Sequence, residues 1–559
     1  MVSSSTTGSC WRGWLAVCPA VMMAAAACST GSDGGGAAAD GALLYERYCV
    51  ACHGVAGDGN GPAAYLLFPK PRNFQRGEFK LRSTRQGSPP TDADLVRTVT
   101  EGIPGTSMFA FGDLLSGDQV GALVAHVKSL SPALAGASPA SEDQLLSIAA
   151  PPEPSAQLVA IGRQTYADFR CAQCHGPEGR GDGPSAPELR DSEGNPFPAA
   201  DFTYGIYKSG GNPEGLYRVF LTGMAGTPMP SYESAFTSDD QAWGLVYYLF
   251  SLADDRPPTR SDRGPLVAAV FATPDPLADP WASAWDRLEP HRVVLRPLWF
   301  RNDFTPTAQI RAGIHGDRLA LMVEWRDASH DASALATEGF SDGAALQLGL
   351  ADPPPFVGMG AAGGDNQVEV WYWRAERQAA YDGTGLADVP DAHPDMFVDG
   401  YPFAGPRPDD PTSAVGDVAA EPTAPFAPGR DVGNPVSDPA LLRRPVHSLA
   451  STGFGSLTSR SADAMRAAGI GSWRDGTYRV VFAAPRQPAD PQLEADLREG
   501  PVPLAVAIWD GGAGDRNGTK LVSQWLRLTI PAAAAASAPA GGSDDPVAQA
   551  RATTRRNER

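Results

Sequence analysis

Apolar residues recur at helical spacing in two tracts, Asp118 to Leu130 and Asp240 to Leu252, and each tract closes a segment of similar internal order. Each segment opens on a helix that runs into a Cys-x-x-Cys-His motif. A loop-rich middle follows, then a short helix near Leu95 or Leu216, a loop carrying a methionine, and the closing helix. From about Gly264 the period changes. Short apolar or alternating runs rich in β-branched and aromatic residues appear, including Arg318 to Trp325, Gly343 to Leu350, Val368 to Trp373, Tyr478 to Phe482 and Leu504 to Trp509. Turn residues such as Arg474-Asp475-Gly476 and Asp510-Gly511-Gly512 separate them, which is the pattern of an antiparallel β-sandwich. The expected fold is therefore multidomain, with two all-α domains followed by an all-β antiparallel sandwich.

The two helical segments are an internal repeat. Cys49-Val-Ala-Cys52-His53 answers Cys171-Ala-Gln-Cys174-His175, Gly61-Pro62 answers Gly183-Pro184, Leu95-Val-Arg97 answers Leu216-Tyr-Arg218, and Gly105-Thr106-Ser107-Met108 answers Gly226-Thr227-Pro228-Met229. The offset reads as 121 to 123 throughout, so a whole domain has been duplicated. Low-complexity stretches give the boundaries: a tether over 28–40, domains over 41–131 and 158–252, linkers over 132–157 and 253–263, the sandwich over 264–530, and a disordered tail over 531–559. Within the sandwich, the Pro- and Asp-rich stretch 376–445 reads as a loop insertion.

Composition narrows the class. With 559 residues, 42% hydrophobic and 19% charged, the chain has material for three domains. A net charge of −19 opposes nucleic acid and anionic membrane surfaces, and suits a basic protein partner. The first 27 residues hold Arg12 and then an apolar run from Trp14 to Ala27, as an export signal does. The junction Ala25-Ala26-Ala27-Cys28 resembles a bacterial lipobox. That implies lipidation of Cys28 and a periplasmic or cell-envelope protein anchored to the membrane by lipid; an ordinary signal peptide is the alternative.

The Cys-x-x-Cys-His motifs carry the chemistry. Two thiols one helical turn apart can add to both vinyl groups of one haem, and the adjacent imidazole reaches the iron. Cys49, Cys52, Cys171 and Cys174 are thus covalent attachment sites for two c-type haems, with His53 and His175 as proximal ligands; a redox dithiol or a zinc site is the competing reading. Four of the seven cysteines serve these motifs, Cys10 and Cys18 lie in the leader and Cys28 at its end, so the mature chain needs no disulfide. Residues 41–131 and 158–252 resemble class I cytochrome c. The resemblance implies that the closing helix crosses the first, and that Met108 and Met229 supply the sixth ligands. Met224, close to Met229, aligns with Ile103 instead. Six-coordinate iron has no open position, so electron transfer is the implied function.

The third domain resembles the haem-binding γ-subunit of the ethylbenzene dehydrogenase family, which serves molybdenum enzymes of the type II dimethyl sulfoxide reductase class. The residues that carry this are Val323-Glu-Trp325-Arg-Asp327, Asp342-Gly-Ala-Ala-Leu-Gln-Leu348, Phe356-Val-Gly-Met359-Gly360, Val370-Trp-Tyr-Trp373, and Trp509-Asp510-Gly511 followed by Asp515-Arg516-Asn517-Gly518-Thr-Lys520 and Ser523-Gln-Trp525. The resemblance implies one non-covalent b-type haem held by Met359 and Lys520. Lys520 is the one lysine after Lys208, and a desolvated lysine can lose its proton to bind iron where an arginine cannot. Met322, Met396 and Met465 are rivals to Met359. Partners would be redox proteins, a molybdenum oxidoreductase or a quinol-linked complex among them. Two alternatives stay open: a dihaem peroxidase or the cytochrome part of a dehydrogenase, and a dihaem cytochrome carrying a haem-free docking or glycan-binding sandwich.

Overall fold

The computed structural model describes residues 34–253, 256–333, 338–360, 366–385, 441 and 443–532. Cys28, Met396 and the C-terminal tail lie outside the described residues.

The first helical domain contains α1 (Gly34–Tyr48), α2 (Val50–His53), α3 (Asp92–Glu101) and α4 (Gly117–Leu130). The second repeats it as α5 (Ala156–Asp168), α6 (Ala172–His175), α7 (Pro213–Thr222) and α8 (Asp239–Phe250). In both, the closing helix packs across the opening one. Glycine makes this possible: a Cβ on Gly162 would collide with the Gly244 carbonyl, and one on Gly41 with that of Ala122. Side-chain caps start the short third helices, Thr91 with Asp94 in a capping box for α3 and Asn212 for α7. α4 buries one stripe, Val120, Leu123, Val124 and Val127. In α8 every residue from Ala242 to Leu249 is buried, because the linker packs on it as well as α5: Leu146 and Ile148 join its core and Tyr247 Oη donates to Pro152 O at 2.5 Å.

Three readings need correction. The segment taken as a tether becomes helical at Gly34, where Ala37-Ala38-Ala39 supply the strongest helix former. The start of the supposed loop insertion is a helix, α10 (Ala375–Asp382), tied down by Gln378, whose Oε1 accepts from Trp373 Nε1 and Gly471 N; residues 386–440 and 442 lie outside the described residues. The repeat does not keep one offset. His53 Nδ1 meets the carbonyl of Arg72, whereas His175 Nδ1 meets that of Ala200, so the middle of the domains is displaced by 128. A small hairpin closed by the Arg190–Pro196 bridge lengthens the second copy there, and a longer loop before α3 restores the register in the first.

The C-terminal region pairs two sheets. Its elements are β1 (Leu266–Val267), β2 (Ala269–Val270), α9 (Ser283–Asp286), β3 (His291–Val294), β4 (Arg296–Pro297), β5 (Thr307–His315), β6 (Arg318–Arg326), β7 (Gly343–Gly349), β8 (Val368–Arg374), α10, β9 (Val446–Ser451), β10 (Thr458–Ser459), β11 (Ala468–Arg474), β12 (Thr477–Pro485), β13 (Gly500–Trp509), β14 (Leu521–Val522) and β15 (Leu526–Ile530). A nine-stranded sheet runs β1-β15-β13-β7-β8-β9-β10 with β14 beside β13 and β4 beside β14, and a six-stranded sheet runs β11-β12-β6-β5-β2 with β3 beside β5. The sheets are mixed rather than strictly antiparallel: β1 lies parallel to β15 and β2 parallel to β5. One short extended segment joins the edges of both sheets, turning from one to the other at Ala268. Between the sheets lies the main core, with Leu346, Leu504, Ile508 and Trp371 facing Leu321, Val323, Val480 and Phe482.

β7 is buried along all seven residues, so the nine-stranded sheet is covered on its second face too. That face turns to the first helical domain. Phe68 bridges Trp299 in parallel, Arg47 Nε donates to Pro354 O at 2.9 Å, and Leu114 packs against the face. The two helical domains also meet directly, through Arg82 to Thr222 O at 2.8 Å and Asn73 to Glu193 at 3.0 Å.

Candidate functional site

Three cavities among the described residues take up the nominated side chains, one in each helical domain and one between the first helical domain and the nine-stranded sheet. The first, about 140 Å³, is lined by Cys49, Cys52, His53 and Met108. The second, about 130 Å³, is lined by Cys171, Cys174, His175 and Met229. All eight residues nominated from the motifs and methionine loops thus fall in two sets of four, each around one space.

Each histidine is held in the same way. Its Nδ1 lies 3.0 Å from a backbone carbonyl, Arg72 O for His53 and Ala200 O for His175. Since a carbonyl only accepts, Nδ1 carries the proton and Nε2 keeps its lone pair. The rings stack on Phe74 and Phe202, both with centroids at 4.5 Å. Burial pushes the His53 pKa down to about 4 and lowers that of His175, so both rings are neutral. Tyr45 Oη donates to Gly54 O at 2.8 Å and Tyr166 Oη to Gly176 O at 2.6 Å, fixing the turn after each motif.

The methionine loops match bond for bond. Thr106 Oγ1 donates to Ile103 O at 2.7 Å and accepts from Met108 N at 3.2 Å; Thr227 Oγ1 donates to Met224 O at 2.7 Å and accepts from Met229 N at 3.3 Å. Met229 therefore holds the position of Met108. Met224 holds that of Ile103, though its side chain also lines the cavity.

Neither Cys pair forms a disulfide, and burial raises the pKa of the Cys49 and Cys52 thiols to about 12 and of Cys171 to about 11. A redox dithiol needs the opposite shift. Nor do the Cys and His atoms converge as zinc ligands do: among the described residues, the one such convergence of His, Cys, Asp or Glu is elsewhere, at Asp327, Asp342 and Asp510.

The third cavity, about 500 Å³, is lined by both Met359 and Lys520. Its floor is one face of the nine-stranded sheet: Ala345 and Gln347 on β7, Val370 and Tyr372 on β8, Leu449 on β9, and Ala505, Ala507 and Trp509 on β13. Three alanines at the centre leave room for a flat group, with Phe356 and Phe454 at the rim. Lys520 Nζ lies 4.8 Å from the Trp509 ring, and burial pushes its pKa down to about 8. Its backbone carbonyl accepts from Leu298 N at 3.1 Å, next to the Phe68 bridge. Met359 is held with φ of 66° and its carbonyl accepts from Gly453 N at 2.8 Å. Of the rivals, Met322 is fully buried against the outer side of the six-stranded sheet, and the Met465 sulfur accepts from Ser448 N at 3.1 Å; neither lines this cavity.

Cys52, Leu67, Ser107, Phe109 and Phe356 line the first and third cavities alike. The first and second cavities are joined by lysines at matching positions. Lys80 and Lys208 stand over the same Phe197 ring, at 5.2 and 5.8 Å, and both are held below the usual lysine range by burial. These lysines escaped the sequence reading because the hairpin at 190–196 shifts their alignment. The signal that could have found them is the pair of turns Asn73-Phe74…Gly77 and Asp201-Phe202…Gly205, each followed three residues later by lysine.

Comparison with known families agrees with this division. Residues 36–127 match cytochrome c oxidase, cbb3-type, subunit III; residues 159–253 match cytochrome c; and residues 282–521 match ethylbenzene dehydrogenase. The chain carries two cytochrome c domains and an ethylbenzene dehydrogenase-type domain. The cbb3-type cytochrome c oxidase subunit FixP of Sinorhizobium medicae is 31% identical over 154 residues, 27% of this chain and 44% of that one, so the chain spans less than half of that relative. Among solved structures, a chain of the Kuenenia stuttgartiensis reducing HAO-like protein complex is 39% identical, covering 38% of this chain and 96% of that one at a TM-score of 0.37. A family 9 carbohydrate binding module from Caldicellulosiruptor kristjanssonii in complex with glucose is 6% identical, covering 49% and 98% at a TM-score of 0.25. The two cytochrome c domains make this a haem protein of electron transfer.

Proposed function

We propose that the protein is an exported, lipid-anchored relay in which two c-type haems and one b-type haem occupy the three cavities in the spatial order second cytochrome domain, first cytochrome domain, sheet face. The observation that carries this reading is the continuity of the cavities, with five lining residues shared between the first and third and Phe197 shared by the lysines of the first and second.

Haem, when bound, supplies one-electron redox chemistry at each cavity. The chain's residues hold it and keep substrates away. Cys49 with Cys52 and Cys171 with Cys174 offer thiols for thioether bonds. His53 and His175 would hold the iron through Nε2 lone pairs and Met108 and Met229 through thioethers from the methionine loops, which would leave no ligand position for a substrate. On the sheet face, Met359 and Lys520 offer a thioether and an amine whose proton burial has loosened. Among the described residues no carboxylate lines either cytochrome cavity; beyond the ligands the polar lining is hydroxyls and basic residues. The exposed end of the relay would meet a redox partner such as a periplasmic molybdenum oxidoreductase or a quinol-linked complex.

A pyridine haemochrome assay on the purified full chain tests the reading. Two c haems to one b haem supports the relay. Absence of b haem removes the third site, and a high-spin c haem in the resting protein would favour a peroxidase.

A further inference from the structure

A fourth cavity, about 500 Å³, lies where the linker, the first helical domain and the sandwich meet. Asp113 and Leu114 wall it from the loop before α4, Thr259 and Arg260 from the linker, and Arg296 and Gln524 from the sandwich. On β13, Pro503 lines this cavity and Ala505, two residues on, floors the third, so both open on one face of the nine-stranded sheet. None of the residues nominated to hold haem lines the fourth cavity.

Its charges do not balance. Three carboxylates line it, and an arginine takes each one: Arg260 reaches Asp113 at 3.4 Å, Arg292 reaches Asp262 at 2.7 Å and Arg527 reaches Asp352 at 2.8 Å. Arg296 has no such partner. It is 4% exposed, and among the described residues its guanidinium makes one bond, from Nη2 to Thr259 O at 3.2 Å. A buried charge left without a counter-charge is costly. Strand register aims it: Arg296 on β4 stands opposite Val522 on β14 in an antiparallel pair, so both side chains leave the sheet on one side, and Val522 packs against the first helical domain.

Two more donors on the wall lack acceptors. Gln524 Oε1 accepts from Trp525 N at 2.9 Å, while its buried Nε2 donates to nothing, and Arg260 Nε is also buried and unbonded. The remaining titratable groups are His291, whose pKa burial lowers, and Arg263 at the exposed rim.

We propose that this cavity binds an oxyanion, a carboxylate or phosphate group held by the Arg296 guanidinium, with Gln524 Nε2 and Arg260 Nε as supporting donors. The planar fork of a guanidinium matches two oxygens of one such group. The anion supplies the missing counter-charge and bridges linker to sheet, beside the first helical domain whose Asp113 already holds Arg260. It has two sources, a dissolved anion or a propionate of haem in the third cavity, because Phe109 lines both spaces. The second source rests on the b-haem reading.

The test titrates the full haem-loaded chain with sodium phosphate and with sodium succinate, against sodium chloride of equal ionic strength. For a dissolved anion, calorimetry should show one bound per chain and Tm should rise by on the order of 5 °C, with binding at least tenfold weaker in Arg296→Met and Gln524→Glu and haem content unchanged. Gln524→Glu keeps the oxygen that accepts from Trp525 N, so it decides the matter if Arg296→Met does not fold. For a propionate, the loaded parent takes up no added anion, and the variants lose b haem from the haemochrome spectrum while keeping both c haems. A parent without b haem ends the haem reading of the third cavity and leaves the dissolved-anion arm intact. The proposal is overturned if the parent takes up neither anion and the variants lose no b haem, or if both variants bind phosphate and succinate as the parent does.

Discussion

Met359 adopts φ of 66°, a left-handed conformation that costs a side-chain-bearing residue about 1–3 kcal/mol. On the proposed reading it is kept there because its thioether faces the third cavity. Met359→Gly should relieve the strain, keeping stability within about 1 kcal/mol of the parent in chemical denaturation, while b haem disappears from the haemochrome spectrum. Retention of b haem in that variant would point to another ligand. Lys520→Arg is the companion change. The guanidinium keeps the charge and cannot present a lone pair, so this variant should also lose b haem and keep both c haems. In the cytochrome domains, Met108→Ala or Met229→Ala should convert one c haem to high spin in the EPR spectrum and leave the other low spin; Met224→Ala should leave both low spin, because Thr227 presents Met229 and not Met224 as Thr106 presents Met108.

Helix crossings set how each cytochrome cavity closes. α5 and α8 touch backbone to backbone at Gly162 and Gly244, and a methyl group at Gly162 has rigid backbone in its way rather than a side chain that could swing aside. Gly162→Ala should destabilise the second cytochrome domain by about 1–3 kcal/mol, as overpacking does, seen as an earlier unfolding step in denaturant that reports on its haem and not on the first. At the sheet, the same logic runs through small residues. Ala345, Ala505 and Ala507 clear the floor of the third cavity, and β7 is buried on both faces because the first helical domain covers the second one. An alternating strand pattern would have left that face to water; its apolar run is what a sheet needs when both sides are covered.

Across the whole molecule, the feature that joins the parts is charge at the cavity junctions. Lys80 and Lys208 are desolvated and share Phe197, a costly arrangement unless anionic groups of the bound cofactors answer them. Removing a nearby positive charge favours oxidised iron. Lys80→Met and Lys208→Met should therefore lower c-haem potentials by on the order of tens of millivolts, with each single variant moving both haems, measured by spectroelectrochemistry. A shift confined to one haem would mean that the lysines serve their own domains separately. Among the described residues no helix is long and apolar enough to cross a membrane.

The sequence by itself determined the covalent chemistry and the duplication. Thioether attachment depends on five contiguous residues, and the duplicated blocks at either end of the domain keep nearly one offset, so both are local and one-dimensional. It also pointed to Met359 and Lys520 through resemblance and the scarcity of lysine. What it could not reveal depends on contacts between distant segments. The hairpin at 190–196 hid the equivalence of Lys80 and Lys208, and alternation within strands could not tell that β1 and β2 would lie parallel at the sheet edges. Only the tertiary structure decided that the three cavities adjoin, because adjacency there comes from the second face of a sheet docking on a helical domain some 300 residues earlier in the chain, through bonds such as Arg47 to Pro354 with a separation of 307.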